Sequence, residues 1–179
     1  MKRVIGTAFL TSLLCLAVLQ LVSDGSIVTA SGPAGPPTAA PAHSSDTPRL
    51  DGTAVVIHRD QVQGILRDKL PGPSIYGGGL LDADHFRMGA LRRTAAGQVE
   101  IHRDDTDIFY ILSGEATIVT GGTPVNPRKL SATETTADSI KDGVSNEVHS
   151  GDVVVIPRQE PHWFQKVTSG TEYLVIKVQ

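Results

Sequence analysis

Gly151-Asp-Val-Val-Val-Ile-Pro157-Arg-Gln-Glu-Pro-His162 opens on a turn glycine, runs through four apolar residues that read as a short strand, stops at a proline and ends on a histidine. A second segment of the same kind lies upstream: Gly97-Gln-Val-Glu100-Ile-His102-Arg-Asp-Asp-Thr-Asp107-Ile-Phe-Tyr-Ile-Leu-Ser-Gly114. Each combines β-branched and aromatic residues, which favour pleated backbone, with glycine punctuation and side chains able to ligate a metal.

Working outward, the pattern from Phe86 onward is one of short strands between turns. Phe86–Arg92, Gln98–His102, Ile108–Leu112, Glu115–Thr120, Val153–Ile156, Trp163–Val167 and Tyr173–Val178 read as strands. Ser113-Gly114 between two of them predicts a tight hairpin turn, with glycine supplying the positive φ. Many short strands with Gly/Pro turns argue for an all-β fold, an antiparallel sandwich or barrel. Residues 123–149 are rich in Thr, Ser, Asp and Glu without a sustained apolar pattern, and predict a long loop that is disordered, a decorated edge, or a lid over the barrel mouth. Upstream, Val62, Ile65, Leu66 and Leu70 recur at helical spacing, so a helix is expected from Asp60, as its cap, to Leu70, stopped by Pro71. Tyr76-Gly77-Gly78-Gly79 reads as a loose connector.

Side-chain alternation places Glu100 and His102 on one face of their strand, with Val99 and Ile101 on the other. A short charged turn comes next, and an antiparallel hairpin there would return Asp107 to the side of His102. His162 lies just past the strand Val153–Ile156, and only the fold can bring it to the other three. Each residue also has a plainer reading. Glu100 can be a salt-bridge partner of Arg92 or Arg93, and Asp107 can cap a turn. Asp104 and Asp105 read as a solvated turn, although a register using His102 and Asp104 is an alternative to Glu100, His102 and Asp107. His43, His58, His85 and His149 have no matching partners and are expected at the surface. Tyr110, Trp163 and Phe164 read as core or rim, with one of the last two able to line a pocket.

These residues resemble the two motifs of the cupin superfamily. The second is Gly, five residues, Pro, four residues, His, three residues, Asn; Gly151, Pro157 and His162 match it, and Lys166 replaces the asparagine. The first is a glycine, His-x-His, four residues, Glu, six residues, Gly. Here Glu100 and His102 stand at the histidine positions, Asp107 at the glutamate and Gly114 at the closing glycine, while Gly97 lies too close to Glu100 to be the opening one. The resemblance covers roughly 85–179 and implies a double-stranded β-helix, or jelly-roll barrel, with one short N-terminal helix outside it. It implies that Glu100, His102, Asp107 and His162 surround one divalent ion, and that the protein pairs as a homodimer. Two imidazoles and one or two carboxylates suit Fe, Mn, Zn, Ni or Co, and leave coordination positions for a small molecule.

The remainder of the chain sets the context. Lys2 and Arg3 precede an apolar run from Val4 to Val22, with small residues Val28-Thr29-Ala30 at a cleavage point, the layout of an export signal over 1–30. An uncleaved membrane anchor is the alternative. A Pro/Ala/Gly/Ser stretch over 31–50 reads as a flexible linker, residues 51–84 as a helical and loop extension, and 85–179 as the barrel. Cys15, the one cysteine, lies in the signal, so the remaining domain has no disulfide. A formal net charge of −3 and 4% aromatic residues make nucleic acid and anionic membranes poor partners. The expectation is a secreted or periplasmic metal-binding barrel. It acts as a dioxygenase, isomerase or lyase on a small oxygen-rich molecule, or else is a non-catalytic module that binds or senses a small ligand.

Overall fold

The alternation read in the sequence becomes antiparallel strands in the computed structural model, which describes residues 47–67 and 74–179. The readings for the export signal, for most of the linker with His43, and for the helix end at Leu70 and Pro71 lie outside the described residues. The elements are α1 (Arg59–Arg67), β1 (Ile75–Asp82), β2 (Phe86–Arg93), β3 (Val99–His102), β4 (Thr106–Thr120) and β5 (Thr123–Val125). They continue with β6 (Arg128–Lys129), β7 (Glu134–Ala137), β8 (Ser139–Lys141), β9 (Val144–His149), β10 (Val153–Ile156) and β11 (His162–Val178). The order β1-β2-β11-β3-β7-β6 forms one path of the main sheet, and β4 joins it by pairing with β11, β9 and β10. All strand pairs are antiparallel, and the result is a jelly-roll barrel with a single short helix outside it among the described residues.

Two long strands make the barrel. β4 runs unbroken through the expected Ser113-Gly114 hairpin, and β11 runs through the gap expected between Val167 and Tyr173. Gly114 has φ +80°, but the partner strand bends with it at Gly170, φ +84°, so the chain kinks at a paired bulge and does not reverse. A Cβ at Gly114 would sit 2.9 Å from Thr171 Cα, so glycine is required by close approach as well as by φ. Ser113 Oγ donates to Glu172 Oε2 at 3.0 Å and Thr171 Oγ1 to Glu115 O at 2.6 Å, which ties the two kinked strands together.

The Tyr76–Gly79 connector is a strand as well. β1 pairs along β2, and at Gly77, φ +122°, a Cβ would lie 2.0 Å from Ala90 O. The glycines there permit close backbone contact within a sheet; their density is what makes the segment look like a loop. Likewise residues 123–149 hold β5 to β9. The polar residues of that region are strand residues with one solvated face: β7 pairs with β3, β9 with β4, and β8 with β5.

Inside the barrel Phe109, Phe164 and Tyr173 pack with ring centroids 5.1–5.5 Å apart, joined by Ile111, Ile118 and Ile156. Full burial of each such side chain is worth roughly 1.5–3 kcal/mol. Outside, α1 lays Val62, Ile65 and Leu66 on Leu80 and Ala90 of the sheet. The helix starts at Arg59, and its cap is His58, two residues before the expected Asp60. Gln61 N and Val62 N donate to His58 O, and His58 N donates back to Gln61 Oε1 at 2.8 Å. Thr47 to Leu50 run beside β1, with Leu50 N donating to Asp82 O at 2.8 Å. No helix among the described residues is long and apolar enough to cross a membrane.

Candidate metal centre

The site sits where β3, β4 and β11 face one another inside the barrel. β3 supplies Glu100 and His102 two residues apart, and the register of β11 on β3 sets His162 directly opposite Glu100. Asp107 is the second residue of β4, which pairs there with β10 and β11; the hairpin expected between β3 and β4 does not form, and Asp107 reaches His102 across the barrel interior. The structure brings all four residues together. Glu100, His102 and His162 each offer one ligand atom, all within 4.8 Å of one another. Asp107 Oδ2 lies 3.3 Å from His102 Nε2 and 3.7 Å from His162 Nε2, and Glu100 Oε2 lies 3.6 Å from His102 Nε2.

Hydrogen bonds at Nδ1 orient both imidazoles, with each Nε2 toward the carboxylates. His162 Nδ1 donates to the Glu160 carbonyl at 3.2 Å, an acceptor only, so in the neutral ring the Nε2 lone pair is free. Burial lowers the pKa of His162 and keeps the ring neutral, although Glu100 and Asp107 pull the other way. His102 Nδ1 is bonded to Glu134, a carboxylate–histidine pair of the kind that orients a metal-bound imidazole. His102 and His162 are 4% and 2% exposed, and neither Nε2 has a hydrogen-bond partner. Two buried, unsatisfied nitrogens pointing at the same carboxylates are costly unless something fills the space between them. Ligands about 2.1 Å from one ion stand up to about 4.2 Å apart, so a divalent ion fits this donor set with small side-chain movements.

Charge makes the same demand. Burial opposes a charge on His102, yet the carboxylates of Asp107, Glu100 and Glu134 outweigh it and push its pKa up to about 11. The cluster therefore wants a cation, and a proton on His102 is the substitute when no metal is bound. Glu100 and Asp107 stay ionised: burial works against this, but the neighbouring His102, together with Arg93 at Glu100 and Lys177 at Asp107, holds both carboxyls below the usual range.

Three further residues complete the site, and the sequence motifs point to none of them. Arg93 Nη2 donates to Glu100 Oε1 at 2.7 Å and its Nε to the Tyr173 hydroxyl at 3.0 Å, with the guanidinium 4.8 Å from the Phe164 ring centroid. This is the Arg93–Glu100 salt bridge that the sequence allows, and it leaves Oε2 facing the histidines. Lys177 Nζ donates to both oxygens of Asp107 at 2.7 Å. Glu134 lies within the stretch that reads as a loop. The sequence signal that could have found Lys177 is a charged residue at the end of the apolar run Leu174-Val175-Ile176.

Asp104 is taken by Arg103, its carboxylate bonded at 2.9 and 2.7 Å, which removes the His102/Asp104 register. Asp105 is buried and not part of a solvated turn, with Arg87 Nη2 donating to its Oδ2 at 2.5 Å. His58, His85 and His149 are exposed. Phe164 lines the cavity beside the site, while Trp163 turns its Nε1 to Gly97 O at 2.8 Å. That cavity holds about 340 Å³, at the lower end of small-molecule sites, and Glu100, Asp107 and His162 form part of its wall.

No curated protein matches the chain in sequence. Among solved structures it is similar to a Bacillus halodurans protein at 14% identity and TM-score 0.48, over 72% of this chain and 83% of that one. It is similar to the polyketide cyclase RemF from Streptomyces resistomycificus at 21% identity and TM-score 0.46, over 70% and 80%. Oxalate decarboxylase from Bacillus subtilis is similar at 16% identity and TM-score 0.39, over 54% of this chain and 21% of the enzyme. The family model described as Cupin matches residues 82–179, more than half of the sequence. The chain belongs to the cupin family.

Proposed function

We propose that this protein holds one divalent metal ion on Glu100, His102 and His162, with Asp107 as fourth ligand, and presents it to a small oxygen-rich molecule as a dioxygenase, isomerase or lyase. The observation that carries this reading is the pair of buried, unpartnered Nε2 atoms, each on an imidazole whose Nδ1 is already bonded. Bound there, Fe, Mn, Zn, Ni or Co would supply Lewis-acid or redox chemistry. The chain's own residues do the rest. Glu134 and the Glu160 carbonyl orient the imidazoles, Arg93 fixes Glu100 so that one oxygen faces inward, and apolar side chains form much of the cavity wall.

Metal analysis of protein purified without added metal, beside a His102→Ala/His162→Ala double variant, tests it. The native protein should carry close to one equivalent and the variant almost none; equal contents reject the reading.

A second reading, a module that binds or senses a small ligand without turnover, draws on the same site. Glu100, Asp107 and Glu134 already serve Arg93, Lys177 and His102, so the carboxylates of the cluster are all engaged. It predicts a ligand that raises the thermal transition and is recovered unchanged.

We also propose, on the sequence of residues 1–30, that the protein is exported, and on its family that it works as a homodimer. Cell fractionation and light scattering of the purified protein test these two statements.

A further inference from the structure

Lys177 belongs to neither sequence motif, yet its ammonium bonds directly to a member of the ligand cluster. It stands on β11 directly opposite Asp107 on β4, is 7% exposed, and lines the cavity beside Asp107. A buried ammonium is costly unless paired, and here one carboxylate takes two of its three donors. That carboxylate is also a proposed ligand, its Oδ2 3.3 Å from His102 Nε2. The metal and Lys177 therefore share Asp107.

The charge balance of the cluster depends on the ion. Glu100, Asp107 and Glu134 carry three negative charges, and Arg93 and Lys177 two positive ones, so the cluster with neutral imidazoles is one unit negative. A divalent ion reverses it to one unit positive, in a wall of low dielectric where an excess charge draws a counter-ion strongly. Two other cations beside the cavity are committed elsewhere: Arg93 to Glu100 and Tyr173, Arg87 to Asp105. When the ion draws on Glu100, Arg93 keeps the Tyr173 hydroxyl and the Phe164 face, whereas Lys177 Nζ is bonded to Asp107 alone, so drawing on Asp107 turns the ammonium toward the cavity. The rest of the cavity is mainly apolar, with Leu81, Met88, Leu91, Phe109, Phe164 and Val175 in its wall.

We propose that Lys177 is the anion-binding residue of this centre, and that the cavity takes a monocarboxylate with an apolar body, its carboxylate held by the ammonium together with the ion. The proposal rests on the metal-site reading above and adds the chemical class of the ligand.

The test uses the intact chain loaded with Co(II), titrated with acetate and benzoate and, in parallel, with acetamide and benzamide; the visible Co(II) absorption and the thermal transition are read. The carboxylates should perturb both signals and bind at least tenfold more tightly than the amides. Lys177→Met should still take up one Co(II) and lose at least tenfold in carboxylate affinity, while Arg87→Met should not. Equal response to carboxylates and amides in the native protein, or no response to either, overturns the proposal whatever the variant does. So does a Lys177→Met protein that holds Co(II) and binds benzoate as before. Should the native protein take up no Co(II), the metal-site reading fails and this one with it; Co(II) bound without carboxylate preference removes this one alone.

Discussion

Among single residues, Glu134 shows how much of this site lies outside the ligands themselves. Its carboxylate holds His102 Nδ1 and so settles which nitrogen faces the cluster. Glu134→Gln should keep the fold and lower metal affinity by roughly 10–100-fold, the usual loss for such an orienting partner, measured by competition with a chromophoric chelator. Arg93 is tied to Glu100, to the Tyr173 hydroxyl and to the Phe164 face at once. Arg93→Met strands a half-buried carboxylate and a buried phenol, and should cost roughly 1–3 kcal/mol in urea unfolding of the metal-free protein. The role of Glu134 is not legible in the sequence, and for Arg93 the sequence offers only a choice between Arg92 and Arg93 as the partner of Glu100. A single acid in a polar segment, or one arginine among the three of β2, has no spacing rule attached to it, whereas alternation and motif spacing constrain Glu100, His102, Asp107 and His162.

Glycine decides several outcomes at the level of the elements, and its meaning depends on what lies opposite. Gly77 and Gly114 read as breaks, yet both lie within paired strands, at positions where a side chain would collide with the neighbouring backbone. Gly77→Ala should destabilise the protein by at least about 2 kcal/mol, since strain at its positive φ adds to a contact at 2.0 Å from Ala90 O. Gly64 sits within α1, where an added Cβ would meet nothing within 4 Å, so Gly64→Ala should stabilise by roughly 0.5–1 kcal/mol. Opposite signs for the same substitution, read by thermal unfolding, separate the glycines of close approach from those with open space beside them. The segment 123–149 is sheet rather than loop for a related reason. Its strands are short and half-solvated, so polar residues fill one face of each and hide the two-residue period.

For the molecule as a whole, the barrel and the ion should be coupled. The donor set leaves two buried nitrogens unsatisfied and three carboxylates crowded together, so an ion that binds only the folded state raises its stability. At about 100-fold excess over its dissociation constant the gain is about 2.7 kcal/mol. For a chain of this size that shifts the thermal transition upward by roughly 5–10 °C. The shift should vanish in the His102→Ala/His162→Ala variant and on adding chelator to the native protein. A shift that survives in the double variant would place the ion elsewhere on the chain.

Local rules are enough for the strand-rich class, for the strand Val153–Ile156 and for the two segments that carry the candidate ligands, because side-chain period, turn glycine and motif spacing are properties of neighbouring residues. Together with the cupin resemblance they single out Glu100, His102, Asp107 and His162 as candidate ligands. What tertiary structure decided was the joining: β4 and β11 as single kinked strands, the polar stretch as sheet, and His162 opposite Glu100. It also decided the partners of the ligands. Arg93, Glu134 and Lys177 come from β2, β7 and the far end of β11, and only closure of the barrel sets their charges against the cluster. Long-range pairing has no local signature, since the energy that fixes it is realised only when distant strands meet.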